Sequence, residues 1–196
     1  MNQLYPIFLK AHAFPILVVG GGNVGAEKLR FLLKSSPNAW VQVVATYFSD
    51  EVLALVKEPK ISLEKRRFEI ADLDRKSLVI VATDDPELNL QIHTLCRKRN
   101  LLVNVADQPE LCDFYLGGIV TKGNLKIAIS TNGKSPTTAK RLRQLFEQVL
   151  PEEIDELLEN LHAYRKEMEL DFESKVWVMN EMTKQLVGHR ISNNEL

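Results

Sequence analysis

An α/β fold, followed by a hairpin and an all-helical tail, is the architecture this sequence specifies, and two changes of pattern specify it. From the start to about residue 106, short apolar runs alternate with helical patterns, as in a parallel sheet covered by helices on both faces. After residue 113 the alternation stops: two β-rich runs flank a tight turn, and everything beyond is helical.

Ile16–Val19 is an unbroken apolar run, the signature of a strand buried on both faces, and Ala26–Lys34 has helical spacing. Trp40–Ala45 reads as a strand, Asp50–Lys57 as a short helix, and Ile61–Lys65 as a weaker strand suited to an edge. Ser77–Thr83 ("SLVIVAT") is a strand, Pro86–Arg99 a helix, and Leu101–Ala106 ("LLVNVA") a strand. Phe114–Thr131 reads as a hairpin about Thr121-Lys122-Gly123-Asn124. Ser135 is placed to cap a helix whose first residue is Pro136, with Leu142, Leu145, Phe146 and Val149 on one face. The tail continues helical spacing through Ile154, Leu157, Leu158, Leu161, Tyr164 and Met168, and again through Val178, Met182 and Leu186. That apolar stripe needs cover, and a second copy of the chain would supply it, so a homodimer is expected. The expected regions are 1–112, 113–150 and 151–196.

A net charge of −1 over 196 residues gives no electrostatic case for nucleic acid or a membrane surface. The longest apolar runs, such as Leu78–Ala82, are far too short to span a bilayer. The N-terminus lacks the basic start and apolar core of a signal peptide, and the two cysteines, Cys96 and Cys112, make no disulfide scaffold. A cytoplasmic setting is the expectation.

The chemistry begins at "ILVVGGGNVGAEKLRFLL", Ile16 to Leu33. The spacing Gly20-x-Gly22-x-x-Gly25, directly after a strand and opening a helix, is the dinucleotide fingerprint in its required context. Gly20 permits the tight turn, Gly22 lets a pyrophosphate approach, and Gly25 lets helix and strand pack closely. The phosphates would sit over the helix start at Asn23 and Val24. The acidic residue that usually ends the second strand and binds the ribose is missing: Ala45, Thr46 and Tyr47 stand there, leaving NAD over NADP weakly specified. The Thr46 hydroxyl or backbone groups would serve instead, and Thr46 and Tyr47 are counted with the cofactor-binding candidates. Thr83 ends a strand on the same edge and is a further cofactor candidate, whereas Asp84 and Asp85 read as helix caps before Pro86.

Asp107 follows "LLVNVA", at the end of a strand where open α/β sheets bind ligands. On the residues alone it either starts the turn "ADQPE" or acts as an acid there. No metal cage is legible: His93 and Cys96 lie one helical turn apart without further ligands, and His12, His162 and His189 are isolated.

Taken together, "YPIFLK", the glycine segment, "ADLDRKSLVIVATDDPELN", "LLVNVADQPELCDF" and "LKIAISTNGKSPTTAKRLR" resemble the precorrin-2 dehydrogenase/sirohydrochlorin ferrochelatase family of siroheme biosynthesis, over about residues 5 to 150. The resemblance implies a Rossmann domain, a dimerisation region and a helical C-terminal part. It implies NAD-dependent oxidation of precorrin-2 to sirohydrochlorin and, in some members, insertion of Fe2+ or Co2+ as a substrate metal. It makes Asp107 the catalytic residue. The carboxylates of precorrin-2 would then meet "NGKSPTTAKRLR", with Thr131, Lys134, Ser135, Lys140 and Arg141 as the binding candidates. Gly25 stands where many members have alanine, which also allows close packing. A different class remains open, an NAD-sensing regulatory module reporting through its helical tail, as does a dehydrogenase for another small substrate.

Overall fold

The computed structural model describes residues 2–56 and 61–186. Its centre is a five-stranded parallel sheet in the order β3-β2-β1-β4-β5, built from β1 (Ile16–Val19), β2 (Val41–Ala45), β3 (Ile61–Lys65), β4 (Leu78–Val81) and β5 (Leu102–Val105). The expected edge strand, Ile61–Lys65, is an edge. Ile16–Val19 and Ile61–Lys65 form with the predicted bounds, and Trp40–Ala45 loses its first residue. Ser77–Thr83 and Leu101–Ala106 come out a residue or two shorter at each end, because only their central residues pair in the ladder.

Helices α1 (Asn23–Ser35), α2 (Asp50–Leu55) and α3 (Pro86–Lys98) connect the strands. Two apolar clusters, one on each face, enclose the sheet. One joins Val18, Val41, Val43 and Ile80 to Ala26, Leu29 and Val52; the other joins Leu17, Val79, Val81 and Val103 to Ile92 and Cys96. Residues alternate between them along β1, β2 and β4, which is why these central runs are so strongly apolar. The predicted helix end at Lys57, and His189, lie outside the described residues.

A two-stranded hairpin, β6 (Gly118–Lys122) and β7 (Leu125–Ile129), follows, then α4 (Pro136–Val149), α5 (Ile154–Glu167) and α6 (Phe172–Thr183). The chain divides into two compact units. The first holds residues up to Ile119 with Ala128–Arg141, and the second Val120–Ile127 with the described residues from Leu142 onward. Within the second, Asp155 at the start of α5 accepts from the backbone N–H of Asn124 (2.6 Å) and from its side chain (2.9 Å), fixing the hairpin turn. Ile154 and Val120 are buried, but Leu145, Val149, Tyr164 and Met182 of the predicted stripes stay exposed. No described helix is long and apolar enough to cross a membrane.

Candidate functional site

In a parallel sheet all strands end on one edge, and this edge collects the first group of predicted residues. Val19, Val81 and Val105 are level across β1, β4 and β5. One residue further, N–H bonds still tie the edge together: Gly20 donates to Val44 (3.0 Å), Ala82 to Val19 (2.7 Å) and Ala106 to Val81 (2.8 Å). Gly20, Ala45, Ala82 and Ala106 therefore form one rim, and Thr46, Tyr47, Thr83 and Asp107 rise just beyond it. The rim positions on β1 and β5 lie two strand spacings apart, about 10 Å.

The glycines meet three different demands. Gly20 has φ +116°, and a Cβ there would lie 2.2 Å from the carbonyl oxygen of Ala82. A Cβ on Gly25 would lie 2.2 Å from the Gly20 carbonyl oxygen, closer than any methyl tolerates. An alanine at this position would therefore force a shift. Gly22 is the opposite case, since nothing lies within 4 Å of where its Cβ would point. It is also the N-cap of α1, and α1 receives no side-chain cap. Its first-turn N–H groups, at Asn23 and Val24, thus face open space beside a bare backbone, which fits a pyrophosphate.

The other two helices starting on this edge are closed. Ser49 accepts from the N–H of Val52 (3.4 Å) and caps α2. Asp85 accepts from the N–H groups of Glu87 and Leu88 (3.0 Å each) and caps α3, as its sequence context predicts. The Thr83 hydroxyl is already engaged: it donates toward buried Asn89 (2.5 Å) and accepts from the Asp85 N–H (3.2 Å). Thr46 and Tyr47 are exposed.

Asp107 is exposed in the left-handed region, with φ +60°, and its carboxylate has no hydrogen bond or ion pair among the described residues. Its loop is fastened to β5 by residues whose role the sequence did not disclose. Asp113 accepts from the Val103 N–H (3.1 Å), donates its own N–H to the Val103 carbonyl (2.8 Å), and is paired with Arg97 (2.7 Å). The Cys112 thiol accepts from the Val105 N–H (3.3 Å) and donates toward the Val105 carbonyl (3.2 Å). Burial pushes that thiol above its ordinary range, so at neutral pH it remains a donor. Buried Asn104 donates to the Phe114 carbonyl (2.8 Å). A lone asparagine in the apolar run "LLVNVA" is the signal that could have found this, because a buried amide must have a partner.

The second predicted group gathers around the start of α4. Asn132 and Gly133 both have positive φ, and Lys134 donates its N–H to the Thr131 carbonyl (3.1 Å), forming a tight turn. The Thr131 hydroxyl donates to the Ser135 carbonyl (3.0 Å) and accepts from its N–H (3.2 Å). Ser135 Oγ accepts from the Thr138 N–H (3.2 Å), the cap its position predicts. Both hydroxyls thus shape the turn. Lys134 and Lys140 are exposed beside it, as is Arg141. Cys96 lies buried in the core, where burial raises its thiol to about 11, and no group of three or more ligating side chains occurs among the described residues.

A sheet in this strand order, with an uncapped glycine turn opening α1, defines a dinucleotide-binding protein of the Rossmann type. Residues 7–118 match the family described as "Putative NAD(P)-binding", and residues 122–148 match that described as "Sirohaem biosynthesis protein central". The chain is 39% identical over 88% of its length to the siroheme synthase of Pseudoalteromonas atlantica, and 38% identical over 90% to that of Ruthia magnifica. It spans about a third of the length of these curated relatives, 37% and 35% respectively. The fold is that of SirC, a precorrin-2 dehydrogenase: TM-score 0.73 at 24% identity, covering 91% of this chain and 89% of that one. The chain belongs to the family described as putative NAD(P)-binding.

Proposed function

We propose that the chain is an NAD-dependent dehydrogenase that oxidises precorrin-2 to sirohydrochlorin. The observation that carries this reading is the placement of an unpartnered carboxylate, Asp107, on the same rim as the uncapped start of α1. The similarity to siroheme synthases supplies the substrate.

NAD, when bound, supplies the hydride acceptor. Gly20, Gly22 and Gly25 leave room for its pyrophosphate, and the N–H groups of Asn23 and Val24 hold it. Thr46 and Tyr47 reach the ribose in place of the absent acid, and Thr83, locked to Asn89, fixes the rim beside it. Asp107 accepts the proton that leaves precorrin-2 as the hydride departs. Lys134, Lys140 and Arg141 receive the substrate's carboxylates, with Thr131 and Ser135 holding their turn in shape. Chelation of Fe2+ or Co2+ belongs to the same reading, the macrocycle providing the nitrogen ligands. So do the division into regions 1–112, 113–150 and 151–196 and a homodimer that covers the exposed helical stripes.

The decisive substitution is Asp107→Asn. Asparagine tolerates the left-handed backbone as aspartate does, so the fold survives. Loss of a positioned base slows oxidation by about 10²–10⁴-fold with NAD affinity unchanged. Activity within twofold of wild type in the folded variant would return Asp107 to a turn-forming role. A monomer at micromolar concentration in light scattering would refute the dimer.

A further inference from the structure

The helical unit carries a second feature that the oxidation site does not use. Between the end of α5 and the start of α6 lies a cleft of about 540 Å³, lined by His162, Arg165, Lys166, Leu170, Phe172 and Lys175. Its size falls within the range of small-molecule sites, about 300–1,000 Å³. His162, Arg165 and Lys166 stand at i, i+3 and i+4 on α5 and so share one face. Lys175 faces them from α6.

Acids are abundant in this chain, 26 against 25 Lys and Arg, and Glu167, Glu169 and Glu173 are neighbours in sequence. Yet none of the cleft's cations forms an ion pair among the described residues. The acid nearest in sequence, Asp171, is committed elsewhere: it caps α6, accepting from the Ser174 N–H (2.9 Å) and hydroxyl (2.8 Å).

Helix-end electrostatics explain only half of this arrangement. Arg165 and Lys166 sit in the last turn of α5, where a cation complements the helix dipole. Lys175 is in the opening turn of α6, where the dipole disfavours a cation. The cleft also holds apolar surface in water, with Leu170 48% and Phe172 71% exposed. A bare anion would satisfy the cations and leave that surface wet. A ligand with both an apolar face and peripheral negative charge satisfies both.

We propose that the cleft between α5 and α6 binds a planar apolar ring bearing carboxylates, with Leu170 and Phe172 against the ring and Arg165, Lys166, Lys175 and His162 on the carboxylates. The choice of a macrocycle among such rings rests on the tetrapyrrole reading above, but the cleft is separate from the glycine turn and Asp107.

The test titrates the full chain with uroporphyrin, a planar macrocycle carrying only carboxylate side chains, by calorimetry and porphyrin fluorescence. Arg165→Glu with Lys175→Glu removes one equivalent of binding per chain relative to wild type, with NAD affinity and helical ellipticity unchanged. An unchanged number of equivalents, with affinity within twofold, would overturn the proposal. Phe172→Ser, which keeps every charge, weakens the same equivalent by about tenfold if the ring packs there. Unaltered affinity in that variant, or displacement of this equivalent by pyrophosphate at equal concentration, would refute the ring. The outcome stands apart from the dehydrogenase assignment: failure of wild type to bind NAD or oxidise precorrin-2 would sink that assignment and leave this difference in equivalents intact.

Discussion

Helices α1 and α3 begin on the same edge of the same sheet, each after a strand buried on both faces, yet their starts are built in opposite ways. At α3 the chain closes its own helix: Asp85 takes two N–H groups, and Thr83 and Asn89 lock the turn behind it. At α1 it supplies nothing, since Gly22 has no side chain to cap with and no atom near its Cβ direction. An uncapped first turn is ordinarily a loss of stability. Here it marks where a ligand serves as the cap.

Gly22→Asp breaks the contrast most sharply, giving α1 the cap that α3 has. The carboxylate would satisfy the first-turn N–H groups and repel the phosphates. NAD affinity in calorimetry should fall by about a hundredfold or more, roughly 2.7 kcal/mol. Thermal unfolding should meanwhile show a gain of about a few tenths of a kcal/mol. Retained NAD affinity in that variant would mean the phosphates sit elsewhere. Next in size is Gly25→Ala, which tests packing rather than capping. The added methyl collides with the Gly20 carbonyl, and overpacking of this kind costs about 1–3 kcal/mol in denaturant unfolding. A neutral result would show that α1 and β1 can separate freely. The smallest effect is expected for Asp85→Ala, the converse of the first: stability falls by about 1 kcal/mol and NAD affinity stays put. A drop in affinity of the same order as for Gly22→Asp would erase the distinction between the two helix starts.

The two starts also differ in how readily the sequence disclosed them. Glycines at fixed spacing after an apolar run, and Asp before Pro, are local signals, because both geometries are made by neighbouring residues. The central strands were legible for the same reason: β1, β2 and β4 are largely apolar runs, and helices follow β1 and β4 directly. What escaped was made at a distance. Thr83 looks like a free hydroxyl until Asn89, the fourth residue of α3, takes it up. "CDF" looks like a loop until Cys112 and Asp113 fold back onto Val105 and Val103. Thr131 reads as a ligand contact, and the structure gives its hydroxyl to a turn whose positive φ angles only Asn132-Gly133 hinted at.

The fastening of Cys112 and Asp113 to β5 bears on how this protein behaves in a crowd. An exposed edge strand offers a row of unpaired backbone groups on which another chain can grow. At β5 that row is already taken, with the N–H and C=O of both Val103 and Val105 matched by the returning loop. At β3 the guard is different, since the edge ends in Glu64 and Lys65, charges that neighbouring chains must desolvate before pairing. One border is filled and the other fenced. Alkylating the Cys112 thiol would strip its contacts from Val105 and leave Asp113 alone to hold that border at Val103.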